Sequence, residues 1–102
     1  MDTEIWLPIF GYALTYEASS KGRIRRIRTG YVLKPIRLGE TGRFVVNLSQ
    51  RGSYKTCLIT SLIAAAFLGP RPANTNVRPL DGDWSNSAVS NLRYVSRKVE
   101  IT

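Results

Sequence analysis

The chain has 102 residues, 43% of them hydrophobic, and a formal net charge of +8 at neutral pH. That length supports one modest core, and no stretch approaches the roughly 20 apolar residues that cross a bilayer as a helix, so no membrane partner is expected. Histidine is absent and Cys57 is the single cysteine, which removes the commonest general base, the commonest transition-metal ligand and any internal disulfide.

The opening residues include Asp2 and Glu4 rather than the basic region of a secretion signal, and a cytosolic protein is expected. Residues 4 to 30 alternate apolar and polar positions, with Ile24, Ile27, Tyr12 and Tyr16 set around Gly11 and Gly22. Short strands fit that pattern best. A basic stripe follows from Lys21, Arg23, Arg25, Arg26 and Arg28 through Lys34, Arg37, Arg43, Arg51 and Lys55, interrupted by one acid, Glu40. Such a stripe calls for a polyanion, and its arginine content favours forked contacts with phosphate or base edges over simple hydration. On a strand, Arg23 and Arg25 share one face and Arg26 and Arg28 the other.

The segment GRFVVNLSQRGSYKTCLI reads as a β-hairpin, with strands over Phe44–Leu48 and Tyr54–Ile59 and a loop containing Gly52. Arg43, Arg51 and Lys55 then lie at exposed edges as candidates for phosphate contact. Tyr31 and Tyr54 are candidates for base stacking, although sheet cover is the commoner role for such residues. Cys57 reads as a buried thiol. Residues 60 to 68, TSLIAAAFL, form the one strong helical stretch, capped by Thr60 or Ser61 and stopped by Gly69 and Pro70. Leu62, Ile63 and Phe67 give it apolar bulk, and its alanines allow a sheet to approach closely. GPRPANTN is a loop, because its prolines and glycine defeat both helix and ladder. Asp81 and Gly82 then carry turn chemistry, and Leu92–Val95 is a short apolar run.

The opening EIWLPIFGYALTYEASSKGRIRRI resembles the NUMOD-type module of homing endonucleases, through Trp6, Pro8, Gly11, Tyr12, Tyr16, Ser19, Gly22, Arg23 and Arg25. FVVNLSQRGSYKTCLITSLIAAAFLGPRP, with NVRPLDGDWSNSAVSNLRYVS after it, is similar to the HNH region that accompanies this module. The resemblance implies an α+β fold of small antiparallel sheets and hairpins with one core helix, the remnant of a ββα-metal (HNH) fold. It implies residues 1–30 as the NUMOD-type module and 31–102 as a degenerate HNH-like region, joined in one compact unit, with double-stranded DNA as partner.

Departures from the family pattern shape the functional expectation. The places of the acidic or amide residue and the catalytic histidine hold Arg78 and Pro79, a second histidine position holds Thr60, and the late metal ligand corresponds to Glu100. Arginine is no metal ligand and proline carries no base. Read to Thr102, the chain is too short after Ser96 for the helix that would carry the late ligand. Asp81, Gly82, Asn86 and Asn91 are then turn residues. The sequence therefore leads to the expectation of a non-enzyme without cofactor, catalytic residue or metal site. In this reading it is a sequence-selective duplex DNA binder descended from an HNH homing endonuclease, serving as a transcriptional regulator of a phage or mobile element in the host cytoplasm. Its DNA-contact candidates are Arg23, Arg25, Arg26, Arg28, Lys34, Arg37, Arg43, Arg51 and Lys55, with a homodimer as a further expectation. The alternatives are a metal-dependent nickase using Asp81, Asp83 and Glu100, and an effector whose basic stripe docks on an acidic host protein.

Overall fold

The computed structural model describes residues 3–96. Short strands alternate with glycine turns, and the pairing is antiparallel throughout. Strands β1 (Trp6–Pro8), β2 (Tyr16–Ser19) and β3 (Ile24–Arg26) form a first sheet in that order. Strands β4 (Ile36–Leu38), β5 (Arg43–Gln50) and β6 (Ser53–Leu58) form a second, and helix α1 (Ile59–Phe67) follows without a break. Strands β7 (Thr75–Pro79) and β8 (Leu92–Ser96) pair as a two-stranded ribbon, with a 3₁₀ turn at Val89–Asn91 leading into β8. Among the described residues, the small antiparallel sheets and the one α-helix are those expected from the sequence.

None of these sheets has enough apolar surface to stand alone, since isolated ribbons of this size are marginal in water. They are joined by α1, which packs against strands of all three. Ile63 and Ala64 of the helix are fully buried, and so are Tyr16, Ala18 and Leu48 facing them in the same cluster. Registry delivers these side chains: Leu7, Ala18 and Ile24 stand opposite one another across the first sheet, which places them on one face. The Tyr16 hydroxyl accepts a hydrogen bond from the Ser49 amide (3.0 Å) and lies 3.2 Å from Ser49 Oγ, tying the first sheet to the second. Burial pushes the Tyr16 hydroxyl's pKa up, and these bonds more than reverse it, so the net direction is down.

Several expectations change in detail. The helix begins at Ile59, its cap residue is Leu58, and no side chain caps it, so Thr60 and Ser61 are first-turn residues. Thr60 is buried, which takes it away from the position of a solvent-facing cap. Leu62 and Phe67 are half-buried and pack at the margin of the core. At the other end Gly69 has φ +90 and Pro70 follows, as the stop signal requires. The first hairpin strand is longer than expected, the second is shifted by one residue toward the turn, and they meet at a two-residue turn, Arg51–Gly52, with φ of 52 and 82. The loop after α1 yields to β7 at Thr75. Cys57 is half-buried, with its thiol pKa pushed up by burial. Tyr31 and Tyr54 are exposed, at 54% and 78%, rather than sheet cover.

Candidate nucleic-acid interface

Outward from the core, the basic stripe divides into side chains with carboxylate partners and side chains without. Glu17 and Arg25 are cross-strand neighbours on the outer face of the first sheet, and Arg25 Nη2 lies 2.8 Å from Glu17 Oε1. The Arg25 guanidinium also stacks 3.9 Å from the Trp6 ring centre, and that of Arg23 lies 5.5 Å from it. Arg23 in turn pairs with Glu4. Its hydrogen bonds lower the Glu4 carboxyl pKa from 4.5 to about 2. Arg23 and Arg25 share a face as expected, but that face is an internally neutralised cluster.

Arg26, on the opposite face, lies 5.9 Å from the Tyr16 ring centre. It lines one shallow cleft with Arg28, Leu14, Thr15 and Thr29. Lys34, Arg37, Arg51 and Lys55 are all exposed. Among the described residues the ion pairs are Arg23–Glu4 and Arg25–Glu17, so these six cations keep their charge for an external partner.

Arg43 goes elsewhere. Its guanidinium stacks 4.4 Å from the ring centre of Trp84. Both belong to a cavity of about 290 Å³ whose walls also include Arg71, Arg78, Thr60 and Ser61. Strand β5, the start of α1, the loop before β7, β7 itself and the turn after it each contribute. Sequence reading missed Arg71 and Trp84, and it registered Arg78 as a lost motif residue. The available signal was the appearance of further arginines outside the stripe, at positions 71, 78 and 93.

Below the cavity, the Asp-Gly turn is a closed hydrogen-bond network. Asp81 Oδ1 accepts from the amide of Asp83 (2.8 Å) and from Asn91 Nδ2 (3.0 Å), and Oδ2 accepts from Asn86 Nδ2 (3.2 Å). These bonds hold the Asp81 carboxyl below the usual carboxylate range, with the Asp83 amide the largest influence. Asp83 in turn accepts from the amide and hydroxyl of Ser85. The HNH pattern implies a divalent metal near here, and the residues present do not fit one. Arg78 brings a cation, Pro79 has no donor atom, and both Asp81 oxygens are taken. Glu100 lies outside the described residues.

Comparison with known proteins places the chain. The NUMOD4 motif matches residues 4–49. The DNA endonuclease I-HmuI of Bacillus phage SP01 is 29% identical over 96 residues, covering 94% of this chain and 55% of the relative. In the solved structures, the HNH homing endonuclease I-HmuI, studied in DNA binding and cleavage, superposes with a TM-score of 0.83 at 29% identity over 91% of this chain. Residues 4–49 thus carry a NUMOD4 motif, and the chain is similar in sequence and fold to an HNH homing endonuclease.

The match to I-HmuI also covers 53% of that protein's solved chain, so the NUMOD-bearing chain spans about half the length of the relative it matches. The homology corrects one expectation. A non-enzyme was inferred from Arg78 and Pro79, but the homologous protein is a DNA endonuclease, which points to an enzyme. The physical reason is that a missing histidine removes one way of activating water and does not by itself exclude the others.

Proposed function

We propose that this NUMOD-bearing chain binds double-stranded DNA, with the endonuclease lineage making strand scission the activity to assay beside binding. The carrying observation is the set of exposed cations without a carboxylate partner among the described residues: Arg26, Arg28, Lys34, Arg37, Arg51 and Lys55, together with the arginine cavity. Unpaired arginines at the surface of a small domain are costly to keep together and are relieved by phosphates, with the release of counterions as driving force. The neutralised Trp6 cluster supports a positioning role for Arg23 and Arg25, which shape the module and leave contact to their neighbours. Exposed Tyr31 and Tyr54 add flat surfaces on which bases can stack. A transcriptional role needs nothing beyond the same occupancy of DNA.

The test is a gel shift of the purified protein on a pool of random duplexes with magnesium, with the same samples run on a denaturing gel. Retained and sequence-enriched DNA is the expected result, with affinity falling steeply as salt rises. Absence of retention at low salt overturns the reading. Product bands on the denaturing gel report scission directly.

A further inference from the structure

The cavity between β5, α1 and β7 holds three guanidinium groups at the place where the HNH pattern calls for a metal. We infer that it is an anion site that clamps one phosphate group of the DNA backbone between Arg43, Arg71 and Arg78; this rests on the DNA-binding reading above.

Charge decides the sign of the ligand. Arg43, Arg71 and Arg78 line the same space and are all exposed to solvent. Arg93 stands directly opposite Arg78 in the β7–β8 register. Like charges directly opposite one another in a ladder are destabilising, and among the described residues no carboxylate pairs with any of the four. The nearest acids by sequence, Asp81 and Asp83, are engaged with Asn86, Asn91 and Ser85. A divalent cation entering this space meets net repulsion, whereas a phosphate oxygen meets forked donors.

Shape and rigidity agree. A space of about 290 Å³ is roomy for one phosphate with its water and is at the small end for an organic ligand. Arg43 is held by stacking on Trp84, and Arg71 is held by donating to the Thr75 carbonyl, so two of the three guanidinium groups are fixed before a ligand arrives. Thr60 and Ser61, in the first turn of α1, form part of the wall. That turn has no capping side chain and no acid, so the positive end of the helix adds to a site already made by the arginines.

Two measurements on the whole chain test this. The first titrates inorganic phosphate into ¹⁵N-labelled protein and follows the arginine Nε–H resonances. Arg43, Arg71 and Arg78 are expected to shift together with one saturable dissociation constant, and magnesium chloride at matched ionic strength is expected to leave them in place. Uniform unsaturated drift of all arginines, or a response to magnesium in place of phosphate, overturns the inference.

The second measures DNA affinity against salt for Arg71→Gln/Arg78→Gln. Both side chains are exposed, so the fold should survive, and the wild-type titration stands without the variant. Loss of one clamped phosphate lowers the slope of log affinity against log salt by about 0.9, although two charges are removed. A fall of about twice that means two separate phosphate contacts, and an unchanged slope means none; either overturns the clamp while leaving DNA binding intact. Phosphate saturation without any DNA retention defeats the DNA reading instead and leaves the anion site standing.

Discussion

Arg23 and Arg26 belong to the same short basic run and meet different neighbours. Arg23 is spent on Glu4 and Trp6, while Arg26 faces solvent beside Arg28. Under the DNA-binding reading, Arg26→Ala and Arg28→Ala each lower the salt slope of affinity by about 0.9, measurable by fluorescence anisotropy across a salt series. Arg23→Ala is expected to leave that slope unchanged and to lower the melting temperature. The Glu4 carboxyl gives this pair a pH signature. Its folded pKa of about 2 lies below the ordinary 4.5. The contribution is therefore complete above the unfolded value and lost as pH falls from about 5 toward 2. Because Arg23 is half exposed, water screens the pair, and its contribution stays below about 1 kcal/mol. Thermal melts of wild type and Glu4→Gln should differ near neutral pH and converge near pH 2.

At the scale of elements, the β5–β6 hairpin shows turn chemistry at work and imperfectly satisfied. A two-residue turn with positive φ at both positions matches the twist of its strands, and glycine or asparagine accommodates it best. Gly52 fits, but Arg51 holds φ 52 with a full side chain. Arg51→Asn is expected to stabilise the hairpin by about 0.5 to 1 kcal/mol, read from chemical denaturation, while giving up one exposed cation for DNA. The sequence announces this hairpin through its alternation and Gly52. It does not announce that the strands run on to Gln50 and Ser53, because polar residues at a ribbon's end carry no period and are held by the ladder alone.

At the scale of the whole molecule, the serine-glycine turn of the NUMOD segment is where the first sheet meets the segment leading into β8. Ser19 Oγ accepts from the amides of Lys21 (3.1 Å) and Arg23 (2.9 Å), bending the chain toward Gly22. Gly22 has φ +90, and a Cβ added there would come within 2.7 Å of the Ser87 carbonyl carbon. The Val89 amide donates to the Ser20 carbonyl at 2.9 Å beside it. Gly22→Ala therefore faces both backbone strain and a clash with backbone. A loss of roughly 2 kcal/mol or more is expected by denaturation, against a fraction of that for Gly11→Ala, where strain acts without a clash.

What the sequence by itself determined is what short-range physics controls. Alternation predicted short strands, and TSLIAAAFL followed by Gly69 and Pro70 predicted a helix, while the cationic excess raised the expectation of a polyanion partner that the DNA-binding proposal takes up. The quoted motifs also carried the NUMOD4 match and the similarity to the endonuclease I-HmuI. Tertiary structure alone decided which arginines are neutralised, and that Arg43, Arg71, Arg78 and Trp84 share one cavity. Periodicity and turn preference act between near neighbours in the chain. Ion pairing and cavity walls depend on distances between separate elements, and those are set only when three undersized sheets close around one helix.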